Sequence, residues 1–144
     1  MALRYVYNSS GGDPVIESFL AASVTTVVGQ IIYFNTAGFL TNAFTDENTV
    51  TTVLVAGVAQ EVVTGNASNV SLPIVCTKDA RYVVDTTAAP AQTDCGTNIT
   101  MDTISVADEN DPVTTSSGVL RQLRVVGLVG TATQSLCSIN FGTP

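Results

Sequence analysis

Gln30-Ile31-Ile32-Tyr33-Phe34-Asn35-Thr36-Ala37-Gly38-Phe39-Leu40-Thr41-Asn42 is the stretch whose reading decides the fold class. Its first half is β-branched and aromatic, residue types that fit a pleated, half-buried surface. Asn-Thr-Ala-Gly then interrupts it with turn chemistry, and Phe39-Leu40-Thr41 resumes the apolar pattern. The pattern predicts a β-hairpin over Gln30–Asn42.

The same short-strand rhythm extends in both directions. Pro14–Leu20 and Val24–Phe34 read as strands before the turn. Thr51–Val63 follows it as a long strand, with Gly57 marking a bulge or a close backbone approach. Val70–Thr77 is a strand whose Pro73 asks for an edge or an irregular position. Lys78-Asp79-Ala80 is a tight turn, and Arg81–Asp85 and Thr97–Val106 return to extended structure. Val119–Val129 and Ser135–Phe141 read as a closing hairpin. No segment keeps amphipathic helical spacing over ten residues, and no internal repeat occurs. The expectation is a single all-β domain, barrel or sandwich, over residues 13–144, preceded by an N-terminal arm over residues 1–12. Ser9-Ser10-Gly11-Gly12 reads as a flexible stop at the end of that arm.

Composition excludes whole classes of function. The chain has 144 residues, 45% hydrophobic and 12% charged, with five Lys plus Arg against twelve Asp plus Glu. Histidine and tryptophan are absent. Without histidine there is no Ser-His-Asp triad, no Cys-His dyad and no histidine-based metal site. Five cations at a net charge of −7 make a poor ligand for a phosphate backbone or an anionic membrane surface. No nucleic-acid or membrane partner is therefore expected. Met1–Asn8 has no signal-peptide pattern, so synthesis in a cytoplasm is expected. The three cysteines, Cys76, Cys95 and Cys137, are irregularly spaced. Three buried free thiols are the expected state, with one disulfide as the alternative.

Several groups invite a chemical role, and each has a plainer account. Asp108-Glu109-Asn110-Asp111 offers oxygen ligands to a cation but lacks the EF-hand spacing, so a solvated acidic loop is expected. Asp79 with Asp85, or Asp94 with Asp102, would supply the carboxylate pair of a glycosidase, yet nothing in the spacing sets their separation. Cys95 before Gly96 has no histidine to activate it. Gly127 and Gly130 lack the lysine and helix of a phosphate loop. No catalytic residue, metal ligand or cofactor is assigned, and the chain is read as a non-enzyme. Arg121 and Arg124 lie three apart, which on a regular strand directs them to opposite faces. Arg4, Tyr5 and Tyr7 are the candidate contact residues, because Arg and Tyr are enriched at protein–protein hot spots.

A longer pattern unites these segments. Val24-Thr25-Thr26-Val27-Val28-Gly29-Gln30-Ile31-Ile32-Tyr33-Phe34 leads through Asn35-Thr36-Ala37-Gly38-Phe39-Leu40 to Val55-Ala56-Gly57-Val58-Ala59-Gln60-Glu61-Val62-Val63. Leu72-Pro73-Ile74-Val75, Arg81-Tyr82-Val83-Val84-Asp85, Ala89-Pro90-Ala91 and Asp94-Cys95-Gly96-Thr97 follow. Leu123-Arg124-Val125-Val126-Gly127-Leu128 and Ser138-Ile139-Asn140-Phe141 complete it. Over Val24–Phe141 the chain resembles the capsid decoration (cement) proteins of tailed bacteriophages, with Cys95 standing where a small apolar residue is expected.

The resemblance implies a β-barrel or β-sandwich of β-tulip or SH3-like type. It implies a structural virion protein that binds the outside of an assembled capsid and stabilises it. The partners would be the major capsid protein and two further copies of the chain in a homotrimer, with Arg4, Tyr5 and Tyr7 on the arm that reaches the shell. The alternative is a receptor- or carbohydrate-binding β-sandwich of a fibre or spike, which the 6% aromatic content weakens.

Overall fold

The computed structural model describes residues 3–22, 25–42, 54–63, 70–103, 106–107 and 118–141. These residues are all-β, apart from one turn of 3-10 helix at Gln92–Asp94. The strands are β1 (Arg4–Asn8), β2 (Ile16–Ala21), β3 (Ile31–Phe34), β4 (Leu40–Thr41), β5 (Leu54–Ala59) and β6 (Val70–Val75). They continue with β7 (Ala80–Thr86), β8 (Asn98–Ile99), β9 (Val106–Ala107), β10 (Leu120–Val125) and β11 (Gln134–Ile139).

The chain builds two sheets. The consecutive strands β2 to β6 close into a ring, in the order β2-β4-β3-β5-β6 and back to β2. β1 and the later strands form an open sheet in the order β1-β7-β11-β10-β8. β9 runs parallel to the end of β7 that lies beyond the start of β1.

The predicted hairpin is present as β3–β4, with Phe34 opposite Leu40. Asn35 holds its turn: the side-chain oxygen accepts the N–H groups of Ala37 at 2.9 Å and Phe39 at 3.0 Å. Gly38 takes φ 85°, a left-handed conformation that costs a glycine little.

Gly57 marks both things its position implied. Ile32 pairs Gly57 while Tyr33 pairs Val55, so Ala56 is an inserted residue in the ladder. A Cβ on Gly57 would fall on the carbonyl oxygen of Val75 in β6. The insertion sorts β5 into two faces. Val55 and Val58 face the open sheet, and Ala56 and Ala59 face the ring interior. Pro73 sits one residue beyond the last β5–β6 pair, where its missing N–H breaks no ladder on that side.

Two apolar layers result. The ring interior holds Ile32, Leu40, Leu72 and Ile74, with Phe19 and Phe34 edge to face at 5.5 Å. The second layer lies between ring and sheet. Ile31, Tyr33, Val58 and Val75 meet Tyr82, Val84, Leu120 and Cys137 there. Burial holds the Tyr82 phenol above its ordinary range, reinforced by Tyr5 beside it.

Two expectations change. The final hairpin is β10–β11, but β11 is the central strand of the open sheet and not a closing edge. Residues 4–8, within the expected arm, form edge strand β1 against β7. Leu3 is 2% exposed in the shared layer, and its N–H donates to the Gly29 carbonyl at 2.9 Å. Burial of Leu3 and Tyr5 draws this stretch onto the domain. Nor is the following turn loose. Asn8 Nδ2 donates to the Asp13 carbonyl at 2.9 Å, and the Ser9 N–H donates to the Asp79 carbonyl at 2.9 Å.

Gly57→Ala should lower unfolding free energy by about 1–3 kcal/mol, because the added methyl meets backbone and not a mobile side chain. Leu3→Ala should cost about 2–5 kcal/mol, the range for truncating a buried leucine. Urea denaturation midpoints test both; a Leu3→Ala midpoint equal to wild type would return residues 1–12 to the status of a dispensable arm.

Candidate functional site

The open sheet has an inner face on the ring and an outer face toward solvent. Cross-strand partners point to the same side, so the registers assign each residue to a face. Tyr5 pairs Tyr82, and their rings meet edge to face at 6.1 Å on the inner side. Arg4 pairs Val83, and Tyr7 pairs Arg81, on the outer side. The three candidate contact residues are therefore split. Arg4 and Tyr7 look outward, while Tyr5 is partly buried against the core and bonds Asn8 Oδ1 through its hydroxyl at 3.1 Å.

The split has a local cause. The β1 register skips Val6, an inserted residue that leaves Arg4 and Tyr7, three apart, on one side. The same device operates in β10. Gln122 pairs Cys137 and Arg124 pairs Leu136, so Leu123 is inserted. Arg121 and Arg124 consequently share the outer face, which corrects the expectation of opposite faces. Both are exposed, and neither makes an ion pair among the described residues.

Gln122 fixes this insertion from the inner side. It is 1% exposed, and its Oε1 accepts the Ser135 hydroxyl at 2.8 Å. Its backbone N–H donates to the Thr97 carbonyl at 2.9 Å, and its carbonyl accepts the Gly96 N–H at 2.7 Å. The side-chain bond to Ser135 and the backbone bonds to Thr97 and Gly96 together resist a register slip that would strip them.

The outer face reads as two rows across the strands. One is Arg4–Val83–Leu136–Arg124. The other contains Tyr7 paired with Arg81, and Ser138 paired with Arg121, which in turn pairs Asn98. All four arginines of the chain lie on these rows. Neither row contains a carboxylate; one step further along β7, Asp85 pairs Gln134. It accepts Gln134 Nε2 at 2.9 Å and pairs Arg4 at 3.5 Å. Arg81 Nη1 donates to the carbonyls of Asp79 at 3.1 Å and Ala80 at 3.4 Å. Tyr7 is 44% exposed at the edge, and inserted Val6 beside it is 49% exposed.

Of the carboxylate pairs considered, Asp79 with Asp85 is not brought together. Asp79 and Asp85 sit at opposite ends of β7, about 20 Å apart at strand rise, beyond the roughly 5–10 Å of a glycosidase pair. Asp79 instead accepts the Ser10 N–H at 2.8 Å and the Ser10 hydroxyl. The Ser10 hydrogen bonds hold its carboxyl below the ordinary carboxylate value. Asp94 accepts the Ala91 N–H at 2.6 Å, closing the 3-10 turn.

The cysteines form no disulfide, and only Cys137 is fully buried; Cys76 and Cys95 are half-buried, which corrects the expectation of three buried thiols. Burial, with Glu17 nearby, pushes the Cys76 thiol up. The Asp108–Asp111 loop lies outside the described residues. No helix among the described residues is long and apolar enough to cross a membrane.

A lowered Asp79 pKa stabilises the fold above the ordinary carboxylate value, and the contribution is lost as pH falls through the lower folded value. Ser10→Ala should raise the Asp79 pKa toward 3.8, as read by carboxyl NMR titration, and soften the acid limb of stability. An unmoved Asp79 titration would show that the Ser10 hydroxyl does not hold it, since the Ser10 N–H remains in the variant. Compared with protein-family models and with curated proteins, the sequence matches none.

Proposed function

We propose that the chain is a structural virion protein that binds the outer surface of an assembled phage capsid and stabilises it. The observation that carries the reading is the outer sheet face, with its four arginines and exposed Tyr7. Arginine and tyrosine on a rigid sheet are the makings of a protein-docking surface. The motif order over Val24–Phe141 supplies the kind of partner, a capsid lattice of major capsid protein.

The mechanism is linkage. A protein that binds only the assembled lattice stabilises it by mass action. Trimeric copies around the shell add their contacts through avidity. A β-tulip or SH3-like description belongs to this reading as well, with the ring as the closed part of the fold. No catalytic step is required of any residue.

The test is the copy number of the chain in purified source particles, relative to the major capsid protein, by quantitative mass spectrometry. A ratio near one to one is expected. A ratio of a few per cent would favour a fibre or spike module instead, and absence from particles would end the virion reading.

A further inference from the structure

We infer that the outer face of the open sheet docks a carboxylate-rich protein surface through Arg4, Arg81, Arg121 and Arg124. The inference rests on the reading of the chain as a structural binding protein and adds the face and the partner's chemistry.

Charge is segregated among the described residues. The chain carries twelve acidic residues and a net charge of −7, yet the outer rows hold every arginine and no carboxylate, with Asp85 one step beyond them and Asp79 near Arg81. Asp85 is already shared between Arg4 and Gln134. Arg121 and Arg124 stay exposed without an ion-pair partner among the described residues. Arg4 and Arg124 end one register row, three strand spacings or about 14 Å apart. Between them lie half-buried Val83 and Leu136, which is only 4% exposed. The exposed apolar surface lies instead at the β1 edge, on Val6 and Tyr7.

Two ligand chemistries answer to arginine, carboxylate and phosphate. Exposed Val6 and Tyr7 favour protein, since a phosphate backbone makes no use of them. The net charge of −7 favours it too, because a long polyanion meets repulsion from the rest of the surface. A folded acidic patch of limited extent touches the basic face alone.

The experiment uses the full chain and fluorescently labelled poly-L-glutamate, with duplex DNA of matched charge as the competing ligand, read by polarisation across a salt series. Arg121→Glu with Arg124→Glu should weaken poly-glutamate binding by at least about tenfold. Lys78→Glu, a charge change in the turn before β7, should stay within about twofold of wild type. Circular dichroism and melting confirm folding, and Arg121→Gln with Arg124→Gln replaces the reversal if that variant does not fold.

Three results overturn the inference: no poly-glutamate binding by wild type, an equal loss in Lys78→Glu, or tighter binding of DNA than of poly-glutamate. The copy-number measurement fails independently. A chain absent from particles that still binds poly-glutamate through these arginines loses the capsid reading and keeps the docking face.

Discussion

Three inserted residues govern this structure: Val6 in β1, Ala56 in β5 and Leu123 in β10. A regular strand alternates its side chains every two residues, and each insertion converts one such step to three. In β5 the longer step keeps Val55 and Val58 on the open sheet and Ala56 and Ala59 inside the ring. Strict alternation would turn Val58 into the ring and Ala59 out of it. The ring interior takes the two alanines in one cluster with Ile32 and Leu72, and the layer against the sheet takes the two valines. The insertion therefore lets one strand serve two layers at once.

The insertions in β1 and β10 do the same for the open sheet. Tyr5 and Asn8 stay inward, as do Gln122 and Val125, while Arg4, Tyr7, Arg121 and Arg124 are turned outward. Buried polar groups enforce this phase. Gln122 finds Ser135, Thr97 and Gly96, and Asn8 finds Tyr5 and Asp13. Slipping either strand by one residue would leave a buried amide without partners, which costs about 1–3 kcal/mol for each group. Core packing and surface chemistry are set by one backbone feature.

Legibility in the sequence follows from which features carry a local signature. The β3–β4 hairpin was legible because Asn35 and Gly38 are the residues its turn demands. The β5 insertion was legible because Gly57 flags a close approach. The other two insertions fall at Val6 and Leu123, ordinary strand residues with no glycine beside them. Nothing local announces an inserted residue there, so strict alternation separated Arg121 from Arg124, while residue type alone grouped Arg4, Tyr5 and Tyr7. The strand-edge role of residues 4–8 was hidden for a related reason: it depends on Leu3 and Tyr5 meeting a layer assembled from strands far along the chain. The arginine spacing itself was the available signal, since Arg4/Tyr7 and Arg121/Arg124 both step by three.

That spacing gives the electrostatics its direction. The Arg4–Asp85 pair spans 3.5 Å with side chains 36% and 46% exposed, so solvent screens it and its contribution is about 0–1 kcal/mol. It tethers one guanidinium without neutralising the face. Away from that face the net charge of −7 repels acidic partners. An acidic surface approaching at random is thus turned away from most orientations and drawn to one. Such steering acts on encounter rate and orientation more than on final affinity. On the proposed capsid-binding reading, orientation is the harder requirement, because multivalent contacts on a repeating lattice add only when every copy engages with the same geometry.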